Sequence, residues 1–246
     1  MKLIQFPLGE FASLRGWLPE PGGPAVPAIL IAPGGGFRVC ARREGEPVAR
    51  AFLAEGYAAF VLDYTTLDKK PDAVMADPMA DCAEALRTLR KQGEDLGLRK
   101  GCLALLGFSA GGRLAAAAAT CGPERPDLLL LGYPGILRSE RQALECPDIP
   151  ARTDGRTPPT FLFSTRDDPV APPAHPLAFA RALEAAGVEY ELHIFRHGGH
   201  ALSLGTALSA GGDPALVNAG FAQWFPLTLR WLREHWGDNE VRRADP

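Results

Sequence analysis

Short apolar runs alternate with amphipathic stretches along most of the chain. Continuous apolar runs of this length are typical of strands buried on both faces of a sheet, and an alternating run is typical of a half-buried strand. The predicted strands are Ala28–Ala32, Ala58–Leu62, Cys102–Leu106, Leu128–Gly132, Thr160–Phe163 and the alternating run Glu189–Phe195.

Stretches with helical periodicity separate these strands. The predicted helices are Pro47–Glu55, Met79 to Gly93, Ser109–Thr120, Pro176–Ala186 and a last one from Val217 to His235, kinked near Pro226. Alternating strands and helices indicate an α/β fold, in which a mostly parallel sheet is flanked by helices. At 246 residues we expect one domain over residues 1–246. Ligands in such sheets bind beyond the carboxyl ends of the strands.

A serine stands directly after one of these strands. Gly107-Phe108-Ser109-Ala110-Gly111 follows Cys102–Leu106 and opens an alanine-rich helix. A serine on such a strand–turn–helix elbow has a strained backbone, so it needs small neighbours. Ser109 is therefore the candidate nucleophile, and a serine that only caps the helix is the alternative.

Three glycines, Gly34, Gly35 and Gly36, follow the strand Ala28–Ala32. An acyl-transfer site needs backbone N–H donors directed at the oxygen where negative charge develops, and side chains would obstruct them. The glycine run suits this role, with the N–H of Ala110 as another donor. A flexible turn is the alternative reading of the glycines.

Two aspartates and a histidine follow later strands. Asp167 and Asp168 come after Thr160–Phe163, and either carboxylate could orient a catalytic imidazole while the other caps its loop. His200 lies beyond two glycines after Glu189–Phe195 and is the candidate base. We expect core or surface roles for His193 and His197 and no metal site, because no further ligands stand at zinc-site spacing.

Composition and charge exclude several classes of function. The net charge of −3 provides no basic surface for nucleic acid, and no apolar run approaches the length of a membrane span. An odd number of widely spaced cysteines favours buried thiols in a reducing compartment over disulfides or zinc. We expect a cytoplasmic enzyme without cofactor or metal, and the sequence leaves a homo-oligomer open.

The combined motifs resemble the α/β-hydrolase superfamily, in particular small bacterial acetyl esterases and xylan acetylesterases related to the hormone-sensitive-lipase group. The resemblance rests on PGGGF, on PMADCAEALRTLR leading into LLGFSAGGRLAA, and on LLLGYPGI, TRDDPVAP and ELHIFRHGGHALSL. The chain order serine, aspartate, histidine is also that of this superfamily. The resemblance implies an α/β-hydrolase fold without a large cap domain.

The resemblance also assigns the roles that the residues alone leave open. The family's acid stands four positions before a proline, which selects Asp168 because Pro172 follows it. The family's glycine oxyanion motif falls on Gly34, Gly35 and Gly36, of which Gly35 and Gly36 are the expected donors beside Ala110. Pro33 stands where the lipase group has histidine, and this departure points to the acetyl-esterase branch.

The implied activity is hydrolysis of short-chain, above all acetyl, esters by a Ser109–His200–Asp168 triad, with sugars among the candidate alcohols. The implied partner is a small-molecule ester substrate. Because the base must be neutral, activity should fall below about pH 6. The alternatives are an amidase such as an aryl formamidase, a peptidase-like hydrolase on the same fold, and a catalytically inactive binding protein.

Overall fold

The computed structural model describes residues 1–20, 22–138 and 143–237, which build one sheet and the helices packed against it. The strands are β1 (Lys2–Pro7), β2 (Ser13–Leu18), β3 (Val26–Ala32), β4 (Ala58–Asp63), β5 (Leu98–Phe108), β6 (Leu128–Gly132), β7 (Thr160–Thr165) and β8 (Tyr190–Phe195). The α-helices are α1 (Glu46–Ala54), α2 (Ala76–Lys91), α3 (Ser109–Cys121), α4 (Ile149–Arg152), α5 (Ala174–Ala185), α6 (Ala207–Ala210) and α7 (Trp224–Trp236). Short 3₁₀ turns cover Arg42–Glu44, Pro214–Leu216 and Phe221–Gln223.

The sheet has the strand order β1-β2-β4-β3-β5-β6-β7-β8. From β4 through β3, β5, β6 and β7 to β8, each strand pairs in parallel with the next. The β1–β2 and β2–β4 pairs are antiparallel. The predicted α/β fold with a mostly parallel sheet is therefore confirmed. The two antiparallel strands at the amino-terminal edge were not predicted.

Two apolar layers lie on the two faces of the sheet. Along β3, Leu30 points into the layer formed with α2, α3 and α5, while Ile29 and Ile31 point into the layer formed with α1 and α7. All three side chains are fully buried. Because successive strand residues face opposite sides, a strand covered on both sides must be apolar throughout, which explains the continuous runs in the sequence.

The parallel strands bring four distant segments to one edge of the sheet. β3, β5, β7 and β8 run in the same direction, so the loops that follow their carboxyl ends emerge on the same side. Between β6 and β7 the described residues form only the four-residue helix α4. No helical cap covers the loops from this part of the described chain.

The last helix differs from its prediction. It begins at Trp224, after a 3₁₀ turn, rather than near Val217. Pro226 is the third residue of the helix and does not interrupt it, because the first N–H groups of a helix have no partner within the helix and proline removes nothing there. None of the helices in the described ranges is long and apolar enough to cross a membrane.

Candidate active site

The candidate nucleophile stands at a sharp elbow between β5 and α3. β5 ends at Phe108 and α3 begins at Ser109, whose φ of 52° lies in the left-handed region. The elbow is pressed against β3, since a β-carbon on Gly111 would lie 2.1 Å from the carbonyl oxygen of Ala32. Only glycine fits at position 111, as the sequence pattern required.

Three side chains from different loops form a continuous hydrogen-bonded series. Ser109 Oγ lies 2.8 Å from His200 Nε2, and His200 Nδ1 lies 2.7 Å from Asp168 Oδ2. With the proton on Nδ1, the imidazole donates to the carboxylate and leaves Nε2 free to accept the serine proton. Ser109 and His200 are 91 residues apart in the sequence, and His200 and Asp168 are 32 residues apart, so only the fold brings the three together.

The two adjacent aspartates have separate partners. Asp168 is buried, and its Oδ1 accepts hydrogen bonds from the N–H groups of Val170 and Ala171 at 2.8 and 2.9 Å while its Oδ2 faces His200. Asp167 is exposed and instead accepts from the N–H of Gly198 at 2.7 Å. Of the two carboxylates, that of Asp168 contacts His200, and that of Asp167 contacts His197 and Gly198.

Asp167 has the loop-capping role that the sequence left for the second aspartate. Its other oxygen lies 3.0 Å from Nδ1 of the exposed His197. The hydrogen bonds from His197 and from the N–H of Gly198 lower the pKa of Asp167, so its carboxylate is ionised at neutral pH. Asp167 therefore fixes the start of the loop that carries His200.

The glycine loop after β3 lies beside Ser109 and offers unpaired donors. The N–H groups of Gly35, Gly36 and Ala110 have no acceptor among the described residues. Gly35 has a φ of 119°, and a β-carbon there would meet the carbonyl oxygen of Val39 at 2.1 Å. Gly36 also has a positive φ, of 64°. The loop conformation thus requires glycine and leaves donors free for an oxyanion.

The buried carboxyl group of Glu44 is hydrogen-bonded to the glycine loop. The residue Glu44 is 1% exposed, and its Oε2 accepts a 2.7 Å hydrogen bond from the N–H of Gly34. Its Oε1 accepts a 2.6 Å hydrogen bond from the hydroxyl of Tyr133. Burial raises the pKa of Glu44, and these two hydrogen bonds, followed by the charges of His200 and Arg43, offset part of that rise.

Tyr133 extends the contact from the glycine loop to the histidine loop. Its hydroxyl accepts a 3.0 Å hydrogen bond from the N–H of Ser203, three residues beyond His200. Its ring packs edge-on against the imidazole of His200, with centroids 5.1 Å apart. Glu44 and Tyr133 therefore link the loop that offers the donors to the loop that supplies the base.

Backbone strain is concentrated around these loops. In the described chain the non-glycine residues with positive φ are Phe37, Ser109, Tyr133, Ala201 and Ser203. Ser109 is the first residue of α3, and the other four lie in loops that follow strands at the site edge of the sheet. Strained residues persist only where their surroundings fix them, and they are frequent at functional sites.

An open cavity of about 770 Å³ lies over the serine. Its wall includes Gly35, Gly36, Ser109 and His200, so the candidate nucleophile, the candidate base and two of the glycines line the same space. No cluster of three or more His, Cys, Asp or Glu side chains that could hold a metal is found within the residues described.

The structure thus brings together all six residues that the sequence singled out, whose catalytic roles stay predictions. It adds Glu44 and Tyr133, which sequence reasoning missed. Tyr133 could have been noticed because it directly follows a buried strand. Glu44 stands in the charged run Arg42-Arg43-Glu44-Gly45-Glu46, which has the pattern of an exposed surface.

Comparisons with known proteins connect this geometry to enzymes. The BD-FAE family model matches residues 17–129, and the prolyl oligopeptidase family model matches residues 140–212. Among solved structures, MGS-M1, an α/β-hydrolase enzyme from a Medee basin deep-sea metagenome library, is 35% identical with a TM-score of 0.88, covering 95% of this chain and 97% of that one. An acetyl ester-xyloside bifunctional hydrolase from Caldicellulosiruptor lactoaceticus is 30% identical with a TM-score of 0.79, covering 93% and 89%.

Two curated relatives are longer than this chain. Endo-1,4-beta-xylanase B from Butyrivibrio fibrisolvens is 28% identical over 72% of this chain and 32% of its own length. Acetylxylan esterase from Xylanibacter ruminicola is 27% identical over 77% of this chain and 43% of its own length. The chain therefore spans less than half of either relative.

Proposed function

Because the chain belongs to the α/β-hydrolase family, we propose that it hydrolyses esters of short acyl groups, acetyl above all, through an acyl-enzyme on Ser109. The proposal depends on one observation, the hydrogen-bonded series from Ser109 Oγ through His200 to Asp168, beside unpaired N–H groups. These are the nucleophile, base, orienting acid and oxyanion donors that acyl transfer needs.

The reaction follows from the positions of these groups. Ser109 Oγ forms a bond to the ester carbonyl carbon while its proton passes to His200 Nε2. The N–H groups of Gly35, Gly36 and Ala110 stabilise the negative oxygen that develops. His200 then protonates the departing alcohol as the C–O bond breaks. A water molecule, deprotonated by His200, attacks the acyl carbon; the bond to Ser109 Oγ breaks, and His200 returns the proton to that oxygen.

Two observations favour a small acyl group and a larger alcohol. The cavity is open, and no helical cap lies over it in the part of the chain that the structure describes. An open site does not enclose a long acyl chain, but a bulky alcohol can extend into solvent. Relatives named for acetylxylan and acetyl ester-xyloside hydrolysis support a sugar as this alcohol.

The test is turnover of p-nitrophenyl acetate by variants matched for position. Ser109→Ala and His200→Asn should each lower kcat by at least about 10⁴-fold. His197→Asn is the matched control, because His197 is an exposed histidine of the same loop and should retain most activity. Wild-type turnover that survives in Ser109→Ala would refute the proposal.

A fluorophosphonate probe separates this proposal from an inactive binding protein. The probe should attach to Ser109 in the wild type and fail to attach in Ser109→Ala. A wild-type chain that stays unlabelled and turns over no ester would favour the binding protein.

An amide substrate is a second candidate, favoured by the match of residues 140–212 to the prolyl oligopeptidase family. Both reactions use the same groups, but an amide has a poorer leaving group. The comparison of p-nitrophenyl acetate with p-nitroacetanilide decides between them. We expect kcat/KM to be higher for the ester, and equal or higher values for the anilide would make the chain an amidase.

A further inference from the structure

A second cavity adjoins the candidate active site. Its volume is about 970 Å³, and it shares Ala41, Arg42, Arg43, Ser209 and Gly211 with the cavity over Ser109. The two arginines therefore lie on the wall that the two cavities have in common. The 3₁₀ turn Arg42–Glu44 buries its glutamate and leaves both arginines exposed on this shared wall.

Among the described residues, neither arginine has a partner that neutralises it. Arg42 and Arg43 form no ion pair with any acidic side chain in the ranges described. The acidic residues that line the two cavities are already engaged: Glu46 with Arg50, Asp63 with Lys69, Asp213 with the N–H of Ala215, and Glu44 with Gly34 and Tyr133. The shared wall is thus a local cationic site in a chain whose net charge is −3.

Arg43 lines the same cavity as Ser109 and His200. Burial raises the pKa of both Glu44 and Tyr133, and the charge of Arg43 is among the influences that lower them. Glu44 and Tyr133 contact the glycine loop and the histidine ring. An anion beside Arg43 would therefore share this cavity with an ester bound at Ser109.

From this wall we infer that the preferred ester carries a carboxylate on its alcohol part, which Arg42 and Arg43 bind as the alcohol extends from Ser109 into the second cavity. A guanidinium group can donate two parallel hydrogen bonds to one carboxylate, and such charge-assisted hydrogen bonds are stronger than those between neutral groups. The substrate class is an acylated hydroxy acid, of which a uronic acid sugar is the carbohydrate form. This inference rests on the proposed esterase function.

The test compares two acetyl esters that differ in charge. 4-Acetoxybenzoate carries a carboxylate on its alcohol part, and methyl 4-acetoxybenzoate is its neutral counterpart. The double variant Arg42→Gln/Arg43→Gln should lower kcat/KM for the anionic ester about tenfold and change it for the neutral ester less than about twofold. The difference in leaving-group reactivity between the two esters is the same for every protein, so it cancels when their kcat/KM ratio is compared between wild type and variant.

Arg38→Gln is the matched control. Arg38 is also an exposed arginine of the segment after β3, but it lines neither cavity. Arg38→Gln should leave the kcat/KM ratio of the anionic to the neutral ester unchanged. If net charge alone set this ratio, Arg38→Gln would lower it as much as a single substitution at Arg42 or Arg43. In the wild type, the preference for the anionic ester should also weaken between about 0.05 M and about 0.5 M salt.

The possible results distinguish the carboxylate-binding site from the esterase activity on which it depends. Turnover of both esters at a ratio that the double variant leaves unchanged would overturn the carboxylate site and leave the esterase intact. Turnover of neither ester by the folded wild type would reject both. A loss confined to the anionic ester in the double variant would support the inference.

Discussion

Replacing Glu44 by glutamine tests whether the buried carboxyl group sets the position of the oxyanion donors. Glutamine has the same shape, and its amide oxygen can still accept from the N–H of Gly34. Its NH₂ group would then face the Tyr133 hydroxyl, which already accepts from the N–H of Ser203. The hydroxyl proton of Tyr133 would lose its acceptor in a fully buried place.

The magnitude follows from that lost acceptor. Leaving one buried donor unsatisfied costs about 1–3 kcal/mol of unfolding free energy. For a chain of this length each kcal/mol lowers Tm by roughly 2–4 °C. Deleting an oxyanion donor lowers kcat by about 10²–10³-fold, so a donor that is only displaced should cost less, about tenfold in kcat. KM should change little, because the ester's contacts with the open cavity remain.

The assay is steady-state hydrolysis of p-nitrophenyl acetate, well below the Tm of every variant, with active sites counted by fluorophosphonate titration. Glu46→Gln is the matched control. Glu46 is two residues away, and its one ion-pair partner among the described residues is Arg50, a surface contact worth about 0.3–0.5 kcal/mol. If Glu44→Gln matched Glu46→Gln in both kcat and Tm, the positioning role of Glu44 would be refuted.

Three further predictions concern single side chains. Asp168→Asn should lower kcat about 10⁴-fold because the imidazole loses the carboxylate that fixes its tautomer, whereas Asp167→Asn should keep most of the activity in the same ester assay. Gly35→Ala should lower both kcat and Tm, since the added β-carbon would lie 2.1 Å from a carbonyl oxygen of its own loop; an unchanged kcat would contradict this conformation. Burial raises the pKa of the Cys40 thiol to about 12, so at pH 8 it stays protonated and iodoacetamide should alkylate the exposed Cys121 at least about tenfold faster, as peptide mass spectrometry can measure.

The central strands could be predicted because burial on both faces leaves a continuous apolar run. Leu128–Gly132 has the predicted bounds, whereas Cys102–Leu106 is only the apolar part of β5. β5 begins at Leu98 with the partly exposed residues Leu98–Gly101, which periodicity alone does not distinguish from a loop. Strand ends depend on neighbouring strands, and these are not visible in local sequence.

The antiparallel strands β1 and β2 were missed for a related reason. Their residues mix exposed and buried positions, and β1 has only one neighbour in the sheet. Their pairing depends on β4, whose partner residues lie more than forty positions later, such as Asp63 opposite Ser13. Local propensity is weak in such strands, since cross-strand contacts provide most of their stability.

Some residues of the candidate site could likewise be predicted from the sequence, and others could not. Ser109, Asp168 and His200 could be found because each follows a predicted strand, and parallel strands bring such positions to one edge. Glu44 could not, because its partner Tyr133 is 89 residues away and the surrounding charges indicate a solvated turn. Glu44 is buried because the 3₁₀ turn after the glycine loop points one side chain inward and two arginines outward. The same turn therefore places a carboxyl group beneath the oxyanion donors and a pair of cations on the cavity wall, so geometry and substrate charge can be tested separately at adjacent residues.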